Sequence, residues 1–168
     1  MTGSGPEFVL PDGVVFRAAT EDDTAEMVSM VNAAFEEENF FVNRPRTYAA
    51  QIAEYFCHGD FLLAFQQGQL VASVYYEASG ERGYIGMLAV RPNHQGRGVG
   101  RAIMQQAEQL LRRLGCRVAE LSVVDVRTNL LAIYGKLGYR QSGVEAPHEE
   151  LRQKLTMPVQ LIKMEKQL

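Results

Sequence analysis

Hydrophobic positions along this chain alternate between two periods, every second residue and every third to fourth, and the switches between them mark its elements. Val14–Ala18 reads as a first strand. Thr20 with Asp23 three residues on is a variant capping box, with Asp in place of the usual Glu. It predicts a helix over about residues 21–35, with Ala25, Val28, Val31 and Phe35 on one face. Pro45 suits the first turn of a second helix carrying Tyr48, Ile52 and Tyr55. Residues 61–66 and 69–77 form two strands joined by the short turn Gln67-Gly68. Residues 84–90 are apolar on both faces, which predicts a central strand.

A Gly-rich turn after Pro92 leads into the strongest helical pattern in the chain. Val99, Ile103, Ala107, Leu110 and Leu114 share one stripe, while Arg101, Gln105, Glu108 and Arg112 fall away from it. Gly115 stands where a left-handed cap belongs. Val118–Val124 reads as a strand, residues 128–137 as a short helix ended by Gly138, and residues 139–144 and 159–164 as the last strands. Helices alternate with strands, some of them paired by tight turns, so the class is α/β or α+β around a mixed sheet.

Composition narrows the picture. The 168 residues suit one domain, and 46% hydrophobic with 22% charged residues is an ordinary globular balance. Residues 1–12 read as a flexible start or a cloning remnant, leaving 13–168 as a single domain. A net charge of −3 leaves no basic face for nucleic acid. The apolar run Phe61-Leu62-Leu63-Ala64-Phe65 is far shorter than the ~20 residues a membrane helix needs, and the N-terminus does not resemble a signal peptide. Cys57 and Cys116 stand apart and near no His cluster, so they read as two small buried hydrophobes in a reducing cytoplasm. No ligand spacing suggests a metal site.

Chemistry concentrates between Tyr84 and Gly100. There a central strand feeds a loop with glycine at 96, 98 and 100, and the loop opens a helix. Such a turn brings backbone N–H groups and a positive dipole end to one place, which suits a phosphate. The same glycines would also serve a plain tight turn. A P-loop is excluded, because Gly98-Val99-Gly100 supplies no lysine at the helix start. A dinucleotide fingerprint fits poorly. Its third glycine would be Arg101, although Glu120 stands where the ribose acid would.

Gln95-Gly96-Arg97-Gly98-Val99-Gly100 matches the Q/R-x-x-G-x-G/A signature of the GNAT acetyltransferase superfamily. Met87-Leu88-Ala89-Val90-Arg91-Pro92 looks like the end of that superfamily's fourth strand. Leu131-Ala132-Ile133-Tyr134-Gly135-Lys136-Leu137-Gly138-Tyr139 is similar to its Y-x-x-x-G-F/Y element. The chain therefore resembles a GNAT N-acetyltransferase over nearly its whole length. The resemblance implies a largely antiparallel mixed sheet of about six or seven strands, about four helices, and fourth and fifth strands that splay apart.

It also implies roles. Backbone N–H groups of Gln95, Gly96, Arg97, Gly98, Val99, Gly100 and Arg101 would hold the pyrophosphate of acetyl-CoA, with side-chain charge added by Arg97 and Arg101. Leu88, Ala89 and Val90 would pair with the pantetheine amides as a strand does. Tyr134 would protonate the leaving thiolate, and acetyl would pass to a primary amine by direct attack in a ternary complex. Two positions depart from the family pattern. Arg127 stands seven before Tyr134 where many members have Asn, with Asn129 five before, and Tyr84 stands where some members carry a Glu base.

Without that base, an acceptor of low pKa is easier. Neutralising a free lysine at pH 7 costs about 4.6 kcal/mol, an α-amine only about 1–1.4 kcal/mol. Glu120, Asp125 and Tyr84 remain as relay candidates. The acceptor would meet Glu36-Glu37-Glu38 and Asn39-Phe40-Phe41 between the first two helices, where carboxylates beside aromatics suit a cationic amine. His148 is a further wall candidate. An exposed last strand would pair with a second copy as a homodimer. The competing expectation is an acyl-CoA-binding or protein-interaction module without turnover.

Overall fold

The computed structural model describes residues 13–43 and 45–168, so the reading of residues 1–12 lies outside the described residues. Strand β1 (Val14–Ala18) leads through a 3-10 turn (Glu21–Asp23) into α1 (Thr24–Ala34). The Thr20 N–H donates to Asp23 Oδ2 at 2.8 Å, as the capping box requires. A 3-10 segment (Phe35–Phe40) and an extended stretch reach α2 (Ala49–Phe56). Pro45 is not in that helix. The backbone of Thr47 exchanges two 3.0 Å hydrogen bonds with the Asn32 side chain, which holds the chain extended until Tyr48 caps α2.

Strands β2 (Asp60–Gln66) and β3 (Gln69–Ser79) form the expected hairpin. Gln67 and Gly68 have φ of 51° and 75°, the two left-handed positions of a turn that follows sheet twist. Next come β4 (Arg82–Val90), a 3-10 turn (Pro92–His94), α3 (Val99–Arg113), β5 (Val118–Val124), α4 (Thr128–Lys136), β6 (Arg140–Glu145), α5 (Glu149–Lys154) and β7 (Leu161–Gln167). The sheet order is β1-β2-β3-β4-β5-β7-β6, antiparallel except at β4–β5, so β4 is central as expected. The last strand is not an edge. β7 inserts between β5 and β6, so the chain's end offers no open strand to a second copy.

Strand alternation divides the core into two. Leu62, Ala64, Val74 and Ile85 join Ile103, Ala107 and Leu111 of α3 on one face. Phe61, Leu63, Tyr75 and Ala89 join Met27, Met30 and Ile52 of α1 and α2 on the other. Glu108, expected away from the α3 stripe, is buried at 3% exposure. Its carboxylate accepts from Tyr139 Oη at 2.9 Å and Lys166 Nζ at 2.9 Å, so β6 and β7 close over it with a satisfied pair. Cys116 is buried as expected, but Cys57 is exposed at the end of α2.

Candidate active site

The parallel pairing of β4 with β5 stops after Arg82↔Val118, Gly83↔Ala119 and Tyr84↔Glu120. Beyond it β4 keeps β3 as its partner, but with a register shift opposite Ser73 to Tyr75. Tyr75 faces Gly86 while Ser73 faces Ala89, so β4 carries one extra residue there, and Met87 takes a φ of 48°. This bulge bends β4 away from β5 and opens the sheet. A left-handed methionine is costly, and such strain is retained where the surrounding structure enforces it. Sequence reading did not find the bulge: Gly86 stands beside it, but the residue that takes the positive φ is Met87.

The opening is a cavity of about 800 Å³ that runs from the start of α3 to the α1–α2 connection. Residues 88–90 of β4 and 121–124 of β5 line its two walls. At one end stand Gln95, Gly96, Gly98, Gly100 and Arg101. Gly96 and Gly98 have φ of 75° and 83°, and a Cβ built on either would meet nothing within 4 Å. They are glycine for backbone conformation, and the space beside them stays open. Val99, Gly100 and Arg101 open α3, so their N–H groups precede its first intrahelical bonds. The Gln95 side chain donates to Val90 O at 3.0 Å and its backbone N–H points to Pro92 O at 3.4 Å, so Gln95 ties the loop to the end of β4. Arg101 lines the cavity, whereas Arg97 is exposed and outside its wall, and Val99 turns its side chain into the core.

Tyr134 of α4 lines the cavity, edge-on to Tyr139 at 6.0 Å between ring centres. Burial pushes its phenol up to about 12; Tyr84 and Glu38 add to the rise and Arg127 opposes it. Tyr84 faces it from β4, its ring lying over Gly86, where a Cβ would come within 2.7 Å of the phenol oxygen. Burial likewise pushes Tyr84 up to about 12.

Of the relay candidates, only Tyr84 lines the cavity. Glu120 is held by Arg82, which donates from Nε at 3.0 Å and Nη2 at 2.7 Å, and Asp125 Oδ1 accepts the Gln160 N–H at 3.1 Å. Both carboxylates are committed to structure outside the cavity.

The acceptor end differs from expectation in its charges. Glu37 and Glu38 line it, but Arg127 Nη1 sits 3.2 Å from Glu38 Oε1 and Nη2 3.5 Å from Glu37 Oε2. The residue in the family's Asn position is thus spent on the acidic segment. Phe41 is a buried wall residue and Phe40 points to solvent. Asn129 and His148 line the cavity, the latter with its Nδ1 accepting the Leu151 N–H at 3.3 Å. Sequence reading missed Arg46, Gln51 and Glu150, which complete this end. Only the sequence position of Arg46, beside Pro45 in the α1–α2 connection, could have drawn attention to it.

Among the described residues no group of three His, Cys, Asp or Glu side chains is placed to hold a metal ion, and no helix is long and apolar enough to cross a membrane.

Residues 25–139 match the sequence model of the acetyltransferase (GNAT) family. Solved structures with the same fold include the ribosomal-protein-S18-alanine N-acetyltransferase of Escherichia coli (TM-score 0.75, 15% identity, covering 92% of this chain and 93% of that one). The GNAT domain of S. lividans PAT gives TM-score 0.73 at 22% identity, covering 97% of this chain and 96% of that one. A GNAT family acetyltransferase from Elizabethkingia anophelis, solved with acetyl-CoA bound, gives TM-score 0.69 at 13% identity, covering 95% and 100%.

Proposed function

The chain belongs to the GNAT acetyltransferase family, and on that premise we propose that it moves the acetyl group of acetyl-CoA to a primary amine. The observation that carries this reading is the continuous cavity between the bulged β4 and β5, lined by both the glycine loop and Tyr134. The cavity fits the cosubstrate chemically. The open N–H groups at the start of α3 suit a pyrophosphate, and β4 beyond Tyr84 has no partner strand on the β5 side.

In this reading the N–H groups of residues 96–101 bind the pyrophosphate, and Arg101 adds charge. Residues 88–90 orient the pantetheine arm. Acetyl-CoA supplies an activated thioester. The neutral amine forms the new N–C bond as the C–S bond breaks, in one ternary complex. The Tyr134 phenol gives its proton to the departing sulfur, and the proton lost by nitrogen leaves towards water at the acceptor end. At about 12 the phenol is fully protonated at neutral pH and is ready to donate. Neither cysteine is needed as an acyl carrier: Cys57 is exposed at the end of α2 and burial pushes the Cys116 thiol up. Two free thiols fit a reducing compartment, and we place the enzyme in the cytoplasm.

The test is release of free CoA across a panel of amines, with acetylated product confirmed by mass. Product with at least one amine supports the enzyme. Acetyl-CoA binding without product from any amine supports a binding module instead.

A further inference from the structure

Arg46 stands at the acceptor end of the cavity with its charge unspent. Its guanidinium lies 5.0 Å from the centre of the Phe35 ring, and no carboxylate among the described residues comes within 4.0 Å of it. Two other cations that the described residues place near it are committed. Arg127 holds Glu37 and Glu38, and Lys154 Nζ sits over the Tyr48 ring and 3.5 Å from Pro45 O. Arg46 lines the cavity, and its charge opposes the upward shifts of both the Tyr84 and Tyr55 phenols.

Its position is fixed in advance. The next residue, Thr47, is 1% exposed and exchanges two 3.0 Å backbone hydrogen bonds with Asn32. The Thr47 hydroxyl donates to Gln51 Oε1 at 2.6 Å, and Gln51 Nε2 donates to Glu150 Oε1 at 3.0 Å. One short chain of hydrogen bonds therefore sets a cation and an anion, Arg46 and Glu150, on the same cavity wall without letting them neutralise each other. A planar fork of N–H donors beside an aromatic ring is well suited to a carboxylate.

We propose that the acceptor is a small amine that carries its own carboxylate, an amino acid or a close analogue, and that Arg46 binds that carboxylate and so sets specificity. Glu150 is the opposite pole of the site, on the side of the acceptor's ammonium group. This deepens the acetyltransferase reading and rests on it.

The experiment compares the twenty common L-amino acids with their carboxamides, which keep the amine and lose the negative charge. Turnover is read as CoA release, and acetyl-CoA affinity is measured separately by calorimetry. The expected result is a carboxylate form favoured by about 10–100-fold in kcat/KM, the range of a charge-assisted contact. In Arg46→Gln that preference disappears through a raised KM, Arg46→Lys restores part of it, and acetyl-CoA affinity stays native, which shows that the site is still folded. Carboxamides turned over as well as the acids, or a preference that survives Arg46→Gln, would overturn the inference while leaving the acetyltransferase standing. A native chain that fails to bind acetyl-CoA would remove both.

Discussion

Tyr134 stands in the motif that suggested its role, and its surroundings come from residues remote in sequence. On the proposed mechanism Tyr134→Phe lowers kcat by about 100-fold, as expected for a lost general acid, with little change in KM for acetyl-CoA. Because burial pushes the phenol up to about 12, it stays protonated across about pH 6–10. The kcat profile of the native enzyme should therefore show no falling limb below about pH 10, and a stopped pH series of CoA release checks this. Unchanged kcat in the variant would remove the acid role. Ser73 on β3 makes a second prediction. Its hydroxyl is fully buried and has no hydrogen-bond partner among the described residues. Ser73→Ala removes an unpaid desolvation and should raise stability by about 1 kcal/mol, seen as a melting temperature higher by about 2–4 °C. A lower value would reveal a partner for the hydroxyl.

At the scale of elements, legibility followed periodicity. The α3 stripe, the β2–β3 hairpin and β5 all lie within a residue or two of their expected bounds, because each buries a regular face. The six-residue α5 was not foreseen, since EELRQK has no apolar period and its start depends on the His148 side chain accepting a backbone N–H. The last strand begins at Leu161 rather than Val159, which instead packs with Phe41 and Val42. Two element-scale predictions follow from local chemistry. Arg17 grips Asp23 through two 2.8 Å hydrogen bonds at the start of α1. That contact holds the Asp23 carboxyl below its ordinary range, against the opposite pull of burial. A lowered folded value contributes stability above about pH 4, and the contribution is lost as pH falls through that folded value. Arg17→Ala should cost about 0.5–1 kcal/mol more at pH 7 than in acid that protonates Asp23, measured in denaturant melts; an equal loss at both would argue against the pairing. Gly98→Ala should cost about 1 kcal/mol through its positive φ alone, since its Cβ meets open space. The same variant should weaken acetyl-CoA binding, because the loop must hold a strained φ to keep the conformation that presents its N–H groups.

The whole molecule shows what a one-dimensional pattern leaves out. The family resemblance implied about six or seven strands in one mixed sheet, which has seven, and the splay of β4 from β5. The device that produces the splay, an extra residue at Met87, depends on pairing with β3, and Gly86 beside it is only a weak local mark. The insertion of β7 between β5 and β6 is likewise a matter of tertiary pairing, and it overturned the expectation of an open last strand. Charges in the site were read by type but not by partner. Glu38 and Arg127 are far apart in sequence and meet only in the fold, while Arg46 has no carboxylate partner among the described residues.

The central claim is that the loop at the start of α3 binds the pyrophosphate of acetyl-CoA, and calorimetric titration tests it most directly. The native chain should bind one acetyl-CoA. Gly98→Glu, which places a carboxylate at the helix N-terminus, should abolish the binding while circular dichroism shows the fold intact. A native chain that gives no heat with acetyl-CoA, or a variant that binds it equally well, would contradict the account.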